Sequence, residues 1–114
     1  MNVQFIIFNS IFLHERICFN GCWEFPVLPR IGEEISPLIL INQPNFTYEY
    51  VWSNINNEGR KDFLDKLGKR NIDKEKFFKD WMADIINEDN LVTHISYNTI
   101  DGEGLTIMPH IAIG

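Results

Sequence analysis

The sequence predicts an α+β domain: a mainly antiparallel β-barrel or strongly curved sheet, with two helices inserted before a C-terminal β-hairpin. Short apolar runs, rich in β-branched and aromatic residues and separated by Asn, Gly and Pro, occupy both ends of the chain. Between them, apolar residues recur with a helical period over about 60–88. With 114 residues, the chain has the size of one domain, and we expect residues 1–114 to form a single one.

Four strands are predicted before the helices. Residues 3–13 carry apolar side chains on both parities, which is typical of a strand buried on both faces or of a bent strand that serves two sheets. Residues 17–25 follow as a second strand, interrupted at Asn20-Gly21, and residues 35–41 as a third. Residues 46–53 alternate, which predicts a fourth strand with an aromatic face made of Phe46, Tyr48, Tyr50 and Trp52.

The segment 24–35 separates the second and third strands. Pro26 and Pro29 cannot donate to a strand ladder, so the segment is expected to leave the sheet or lie at its edge. Gly32 supplies a turn. Arg30 is expected to form an ion pair with one of the neighbouring carboxylates, Glu24, Glu33 and Glu34.

The second half begins with two predicted helices. The first starts near Arg60 and ends near Gly68, and the second is capped by Asp73 and runs over residues 73–88. Residues 91–100 and 105–113 then alternate as the two strands of a hairpin, joined by the turn sequence Asp101-Gly102-Glu103-Gly104.

The charge distribution excludes one class of partner and suggests another. A net charge of −6 would repel phosphates, so no nucleic-acid partner is expected. Residues 60–79 nevertheless hold eight of the ten basic residues and four acidic ones, a net charge of +4. This segment is either a solvated helical face over an acidic body or a basic patch for an acidic partner.

The N-terminal segment is expected to belong to the mature protein. Residues 1–13 are mostly apolar, as in a signal peptide, but no Lys or Arg precedes their apolar core and no small-residue cleavage site follows it. No window reaches the roughly 18 unbroken apolar residues of a membrane span. We therefore expect a cytoplasmic protein with no membrane partner, in which Cys18 and Cys22 are free buried thiols.

One motif resembles a known group of proteins. The sequence Leu28-Pro29-Arg30-Ile31-Gly32-Glu33-Glu34-Ile35 is similar to a Pro-Arg-Ile-Gly-Glu-x-Ile signature of small bacterial β-barrel domains, most of them uncharacterised. The resemblance covers about a third of the chain. It implies a barrel in which this segment feeds a strand, and it implies no particular reaction.

The sequence contains residues of the types used in catalysis or metal binding, but not with the spacing or the sequence neighbours typical of such sites. His14, Cys18 and Cys22 lack the usual Cys-x2-Cys spacing of zinc sites, although His94 or His110 could add a ligand. The same cysteines and histidines could supply a Cys-His pair, but no helix N-terminus or cationic cluster adjoins either thiol in sequence. No catalytic residue, metal ligand or cofactor is predicted.

The functional prediction is therefore a non-enzymatic protein-binding module that uses an edge strand or its acidic face. Its partner is expected to be a protein, a basic one in one version of the prediction, with a homodimer as another assembly. An immunity-type or mobile-element accessory protein is one specific version. The alternative is a small-ligand or enzyme domain with an aromatic pocket between sheet and helix. The candidate ligand- or partner-binding residues are Arg30, Tyr48, Tyr50, Trp52 and His94.

Overall fold

The computed structural model describes residues 1–99 and 107–114 as one four-stranded mixed sheet with helices between its second and third strands. The strands are β1 (Asn2–Phe8), β2 (Arg16–Cys22), β3 (Val92–Thr99) and β4 (Ile107–Ile113). The helices are α1 (Pro37–Ile41), α2 (Tyr48–Ser53), α3 (Asn57–Leu67) and α4 (Lys74–Glu88).

The strand order is β2-β1-β4-β3, with β1 and β4 parallel in the centre and both outer pairs antiparallel. The α+β class is thus confirmed, but the predicted barrel is wrong. The sheet is neither closed nor strongly curled, because the stretches expected to supply its third and fourth strands are helical. Four strands are too few to close around a core.

The segment 35–41 forms the short helix α1 rather than a strand. Pro37 lies in its first turn, where a missing N–H costs nothing, and Ser36 precedes it as the N-cap residue. The apolar side chains of Leu40 and Ile41 are buried, and α1 packs against α4. A run of apolar residues is equally compatible with a buried strand and a buried helix, and here packing against α4 decides.

The aromatic segment 46–53 is the second difference. The Thr47 hydroxyl accepts a hydrogen bond from the Tyr50 N–H and caps α2. Helical geometry then separates the aromatic residues that a strand would have aligned: Tyr48 and Trp52 share one face, while Tyr50 lies on another.

Other parts of the sequence prediction hold. Helix α4 has the predicted extent, and the Asp73 carboxylate accepts from the N–H groups of Glu75 and Lys76. Helix α3 ends at Gly68 as predicted. Strands β3 and β4 pair antiparallel as expected for the hairpin, whose predicted turn 101–104 lies outside the described residues. Strand β2 continues through Asn20-Gly21, so the expected interruption is wrong.

The core lies between the helices and one face of the sheet. Alternate residues of β1, Val3, Phe5 and Ile7, are buried, whereas the intervening Gln4 and Ile6 are only half-buried. Strand β1 is therefore covered fully on one face, not on both as predicted. No helix in residues 1–99 and 107–114 is long and apolar enough to cross a membrane.

Candidate functional site

Exposed apolar side chains occur in residues 25–39, which comprise most of the segment between β2 and α1 and the first residues of α1. Four large side chains there are more than half exposed: Phe25 (52%), Val27 (73%), Ile31 (66%) and Leu38 (58%). The half-buried Leu28 and Ile39 belong to the same segment. We call these six residues the apolar loop surface. Four of the six, Phe25, Val27, Leu28 and Ile39, line one cavity of about 390 Å³, whereas Ile31 and Leu38 are grouped with them by their position in the sequence.

Hydrogen bonds and ring contacts hold this surface in one shape. The Trp23 indole N–H donates to the Val27 carbonyl at 2.8 Å, and the Trp23 ring contacts the Phe25 ring at 5.1 Å. The Gly32 N–H donates to the Val92 carbonyl at 2.7 Å. Gly32 has φ +91°, a backbone conformation that favours glycine, so the predicted turn is confirmed. The exposed side chains are thus presented by a loop that is tied to β3.

Three carboxylates belong to the same part of the chain. Glu24, Glu33 and Glu34 are exposed, and Glu33 and Glu34 line the same cavity as Val27. Arg30 also lines the cavity, but it forms no ion pair with these carboxylates, contrary to the sequence prediction. Two carboxylates, and a guanidinium that forms no ion pair within the described part of the chain, therefore line the same cavity as the apolar side chains.

The five predicted site residues do not converge on one place. Tyr48 and Trp52 are half-buried and stacked, with ring centroids 6.0 Å apart and planes 10° apart. Both contact the Phe78 ring of α4, at 4.9 and 6.1 Å. His94 is exposed on β3, at the opposite edge of the sheet from β2. Arg30 lies in the apolar loop region.

Tyr50 is at the β2 edge instead. Its hydroxyl donates to the Cys18 carbonyl, and its side chain lines a cavity of about 330 Å³ with Cys18, Asn20, Asn45 and Thr47. Burial raises the pKa of the Tyr50 hydroxyl, with a smaller contribution from the Cys18 thiol. Among the described residues, the predicted pocket of Tyr48, Tyr50, Trp52 and His94 is not assembled.

The basic segment 60–79 has several intramolecular contacts. The Arg60 guanidinium lies 5.0 Å from the centre of the Trp52 ring and donates to the carbonyls of Trp52 and Ile55. Lys74 lies over the Tyr48 and Trp52 rings, and Arg70 over Phe77. Arg60 and Lys74 thus attach the two helices to α2, which favours the interpretation as a helical face docked on the body of the domain over that of a basic docking patch.

Asp62 connects α3 to α4. Its carboxylate accepts from the Trp81 indole N–H at 2.9 Å and pairs with Lys66 at 3.1 Å. The hydrogen bond from Trp81 and then that from Lys66 lower the pKa of Asp62. This contact is a structural link between the two helices.

The two cysteines are free and half-buried on β2. Residues four apart on one strand share a face but lie about 13 Å apart, too far to bind one metal ion together. In the described part of the chain, no group of three or more His, Cys, Asp or Glu side chains is arranged to hold a metal ion.

A larger cavity of about 910 Å³ lies at the sheet end where β3 finishes and β4 begins, lined among others by Asn2, Cys22, Pro44, Tyr97 and Met108. The candidate functional site is therefore the apolar loop surface with its carboxylates. Sequence reasoning identified this segment but treated it only as a structural connection, since nothing in the sequence indicated that its apolar side chains face solvent.

Comparison with known proteins adds no relative: no protein-family model, no curated protein and no solved structure matches this chain.

Proposed function

We propose that this domain binds another protein, and that the apolar loop surface receives an apolar and basic segment of that partner. The observation that carries the proposal is the exposure of Phe25, Val27, Ile31 and Leu38 within one short segment. Single exposed apolar residues are ordinary on protein surfaces, whereas apolar residues grouped within a polar rim are typical of interaction sites.

In the isolated domain, the exposed side chains of this surface do not contribute the free energy that their burial would give. Fully burying a large apolar side chain contributes roughly 1.5–3 kcal/mol. Val27 and Ile31 are both about two thirds exposed or more, so most of this contribution is absent in the isolated domain. A partner that covers them recovers it.

The surface is also prepared for binding. Trp23 fixes Val27, and Gly32 is hydrogen-bonded to Val92, so little conformational entropy is lost when a partner docks. A loop without such bonds would have to be ordered by its partner, at a cost in affinity.

Charge defines the kind of partner. Glu33 and Glu34 line the cavity together with a single cation, Arg30, Glu24 is exposed next to Phe25, and the domain as a whole carries −6. Complementary Lys or Arg residues on the partner accelerate association and disfavour acidic competitors. The same arrangement would serve a domain that neutralises a basic protein, as the sequence prediction envisaged.

The proposal is tested by selecting peptides from a displayed random library on the immobilised domain. We expect the enriched peptides to combine apolar residues with Lys or Arg and to bind more weakly as salt is raised. Val27→Asp should weaken their binding roughly 30-fold or more, because it places a charge in the apolar centre.

Leu13→Asp is the matched control, since Leu13 is also exposed (54%) but lies outside this surface. It should leave binding unchanged. Equal binding of the selected peptides to both variants, or failure to enrich any peptide, would contradict the proposal.

A further inference from the structure

The two edge strands of the sheet, β2 and β3, differ in how far the rest of the described chain hydrogen-bonds to their outer edges. At the β2 edge, the Gln43 side chain accepts from the Cys22 N–H at 2.9 Å and donates to the Cys22 carbonyl at 3.0 Å. Asn45 donates to the Asn20 carbonyl, and Tyr50 donates to the Cys18 carbonyl. Side chains from the α1–α2 region therefore occupy the positions at which another strand would bind.

The β3 edge is covered only at its start. The Val92 N–H donates to the Glu33 carbonyl at 2.8 Å, and the Val92 carbonyl accepts from Gly32. Glu34 and Leu91 form an antiparallel bridge beside them. Beyond Val92, the described residues place no backbone or side-chain hydrogen bond on the outer edge of residues 93–97.

Residues 93–97 begin with one feature that protects edge strands, a register irregularity between Val92 and His94, but they lack the protective side chains. Natural sheets block free edges with charged side chains, especially Lys, or with Pro. The sequence Thr93-His94-Ile95-Ser96-Tyr97 contains neither Pro nor a charged Lys, Arg, Asp or Glu. Tyr97 is 64% exposed. As far as residues 1–99 and 107–114 are concerned, this edge is open to strand addition in a way that the β2 edge is not.

Resting on the proposed function, we propose that the partner adds an extended segment of about five residues to the outer edge of residues 93–97. The end of that segment nearest Val92 lies beside the Gly32 turn. An adjoining apolar side chain of the partner then reaches the apolar loop surface through Ile31, which neighbours Gly32 in sequence.

Charge favours a basic partner segment over a second copy of this chain. The start of the edge is flanked by the exposed Glu33 and Glu34, and by Glu88 and Asp89 at the end of α4, whereas residues 90–97 contain no Lys or Arg. Two copies joined through this edge would each carry the same carboxylates and a net charge of −6. A segment with Lys or Arg at that end has the complementary charge.

Backbone methylation of a selected peptide tests the proposal. Two versions of one peptide are compared. One is N-methylated on odd-numbered backbone amides and the other on the same number of even-numbered amides, so that their mass and charge are identical. In strand addition only every second amide faces the sheet. One version should therefore bind roughly 30- to 100-fold more weakly than the unmodified peptide, and the other within about 3-fold of it.

Equal binding, or equal loss, of the two methylated peptides would overturn strand addition. The proposed function would still stand if Val27→Asp weakened the unmodified peptide and Leu13→Asp did not, so the two failures are distinguishable. Sedimentation of the protein alone should give a monomer. A dimer that is dissociated by Tyr97→Lys would overturn the assignment, because the occupant would be a second copy.

Discussion

Replacing Gln43 with alanine should open the β2 edge and destabilise the fold. The Gln43 amide makes three hydrogen bonds: with the N–H and the carbonyl of Cys22, and with the Ile39 carbonyl at 2.9 Å. At roughly 0.5–1.5 kcal/mol each, these bonds contribute about 1.5–4.5 kcal/mol, of which water recovers part at this half-buried position. We expect the free energy of unfolding to fall by about 2–3 kcal/mol in urea titrations.

The Gln43→Glu variant separates the hydrogen bonds from the shape of the side chain. An ionised carboxylate still accepts from the Cys22 N–H but cannot donate to the carbonyls of Cys22 and Ile39. Facing two carbonyl oxygens, it should have a pKa above the ordinary value of about 4.3. Relative to wild type at the same pH, the variant should therefore be most stable below that value. It should lose stability relative to wild type as the pH rises through the folded-state pKa of Glu at this position.

Two controls accompany this experiment. Gln4→Ala removes a half-buried glutamine from β1, at a position without such contacts, and should change stability by less than about 0.5 kcal/mol. Gly21→Ala should destabilise by about 1–3 kcal/mol, because a Cβ there would lie 2.6 Å from the Gln43 side-chain oxygen. If Gln43→Ala unfolds at the wild-type urea concentration and hydrogen exchange at Cys22 is unchanged, the β2 edge is not closed by this side chain.

Three further variants test the packing. Phe78→Ala should cost about 3–5 kcal/mol in urea unfolding, because Phe78 is buried at the centre of the aromatic cluster between α2, α3 and α4; a loss below 1 kcal/mol would contradict this packing. Tyr50→Phe should lower stability by about 0.5–1.5 kcal/mol through loss of the bond to the Cys18 carbonyl, and an unchanged melting temperature would argue against that bond. Asp62 has a lowered pKa, so it stabilises the fold above pH of about 4, and this contribution is lost as pH falls through the folded-state pKa. Asp62→Ala should therefore show a flatter acid limb in stability against pH, and an unaltered acid limb would contradict the link to Trp81.

The parts of the fold that the sequence predicted are those with a long or unambiguous pattern. Helix α4 repeats its apolar residues over four turns and begins at Asp73, a strong cap. Strand β1 was predicted from a run of β-branched and aromatic residues, although the expected burial of both its faces is wrong. Over such lengths, a helix and a strand bury different sets of side chains, so the pattern distinguishes them.

Helices α1 and α2 could not be distinguished in this way. They have five and six residues, less than two turns, and their aromatic and β-branched residues favour strands. Local signals for helix starts were present, namely Pro37 after Ser36, and Thr47 before Tyr48. These signals were outweighed by the alternation of aromatic residues, and only tertiary packing against α4 resolves the ambiguity.

The candidate site could not be predicted from the sequence, for a different reason. The pattern of Phe25, Val27 and Ile31 is also that of a segment that contributes to a core. Whether an apolar residue is buried depends on what lies above it, and no other element of the described chain covers this loop. The open edge of β3 depends likewise on strand order, which was unknown until β1 was placed beside β4.

The central claim is that the apolar loop surface and the neighbouring β3 edge together bind one protein segment. Its most direct test is an NMR titration of the isotope-labelled domain with a selected peptide, following every backbone amide. We predict that the perturbed amides cluster in residues 25–39 and 93–97, while the connection between α3 and α4, residues 68–73, stays unchanged. Perturbation centred on residues 68–73 or on the β2 edge, with residues 25–39 unaffected, would contradict the claim.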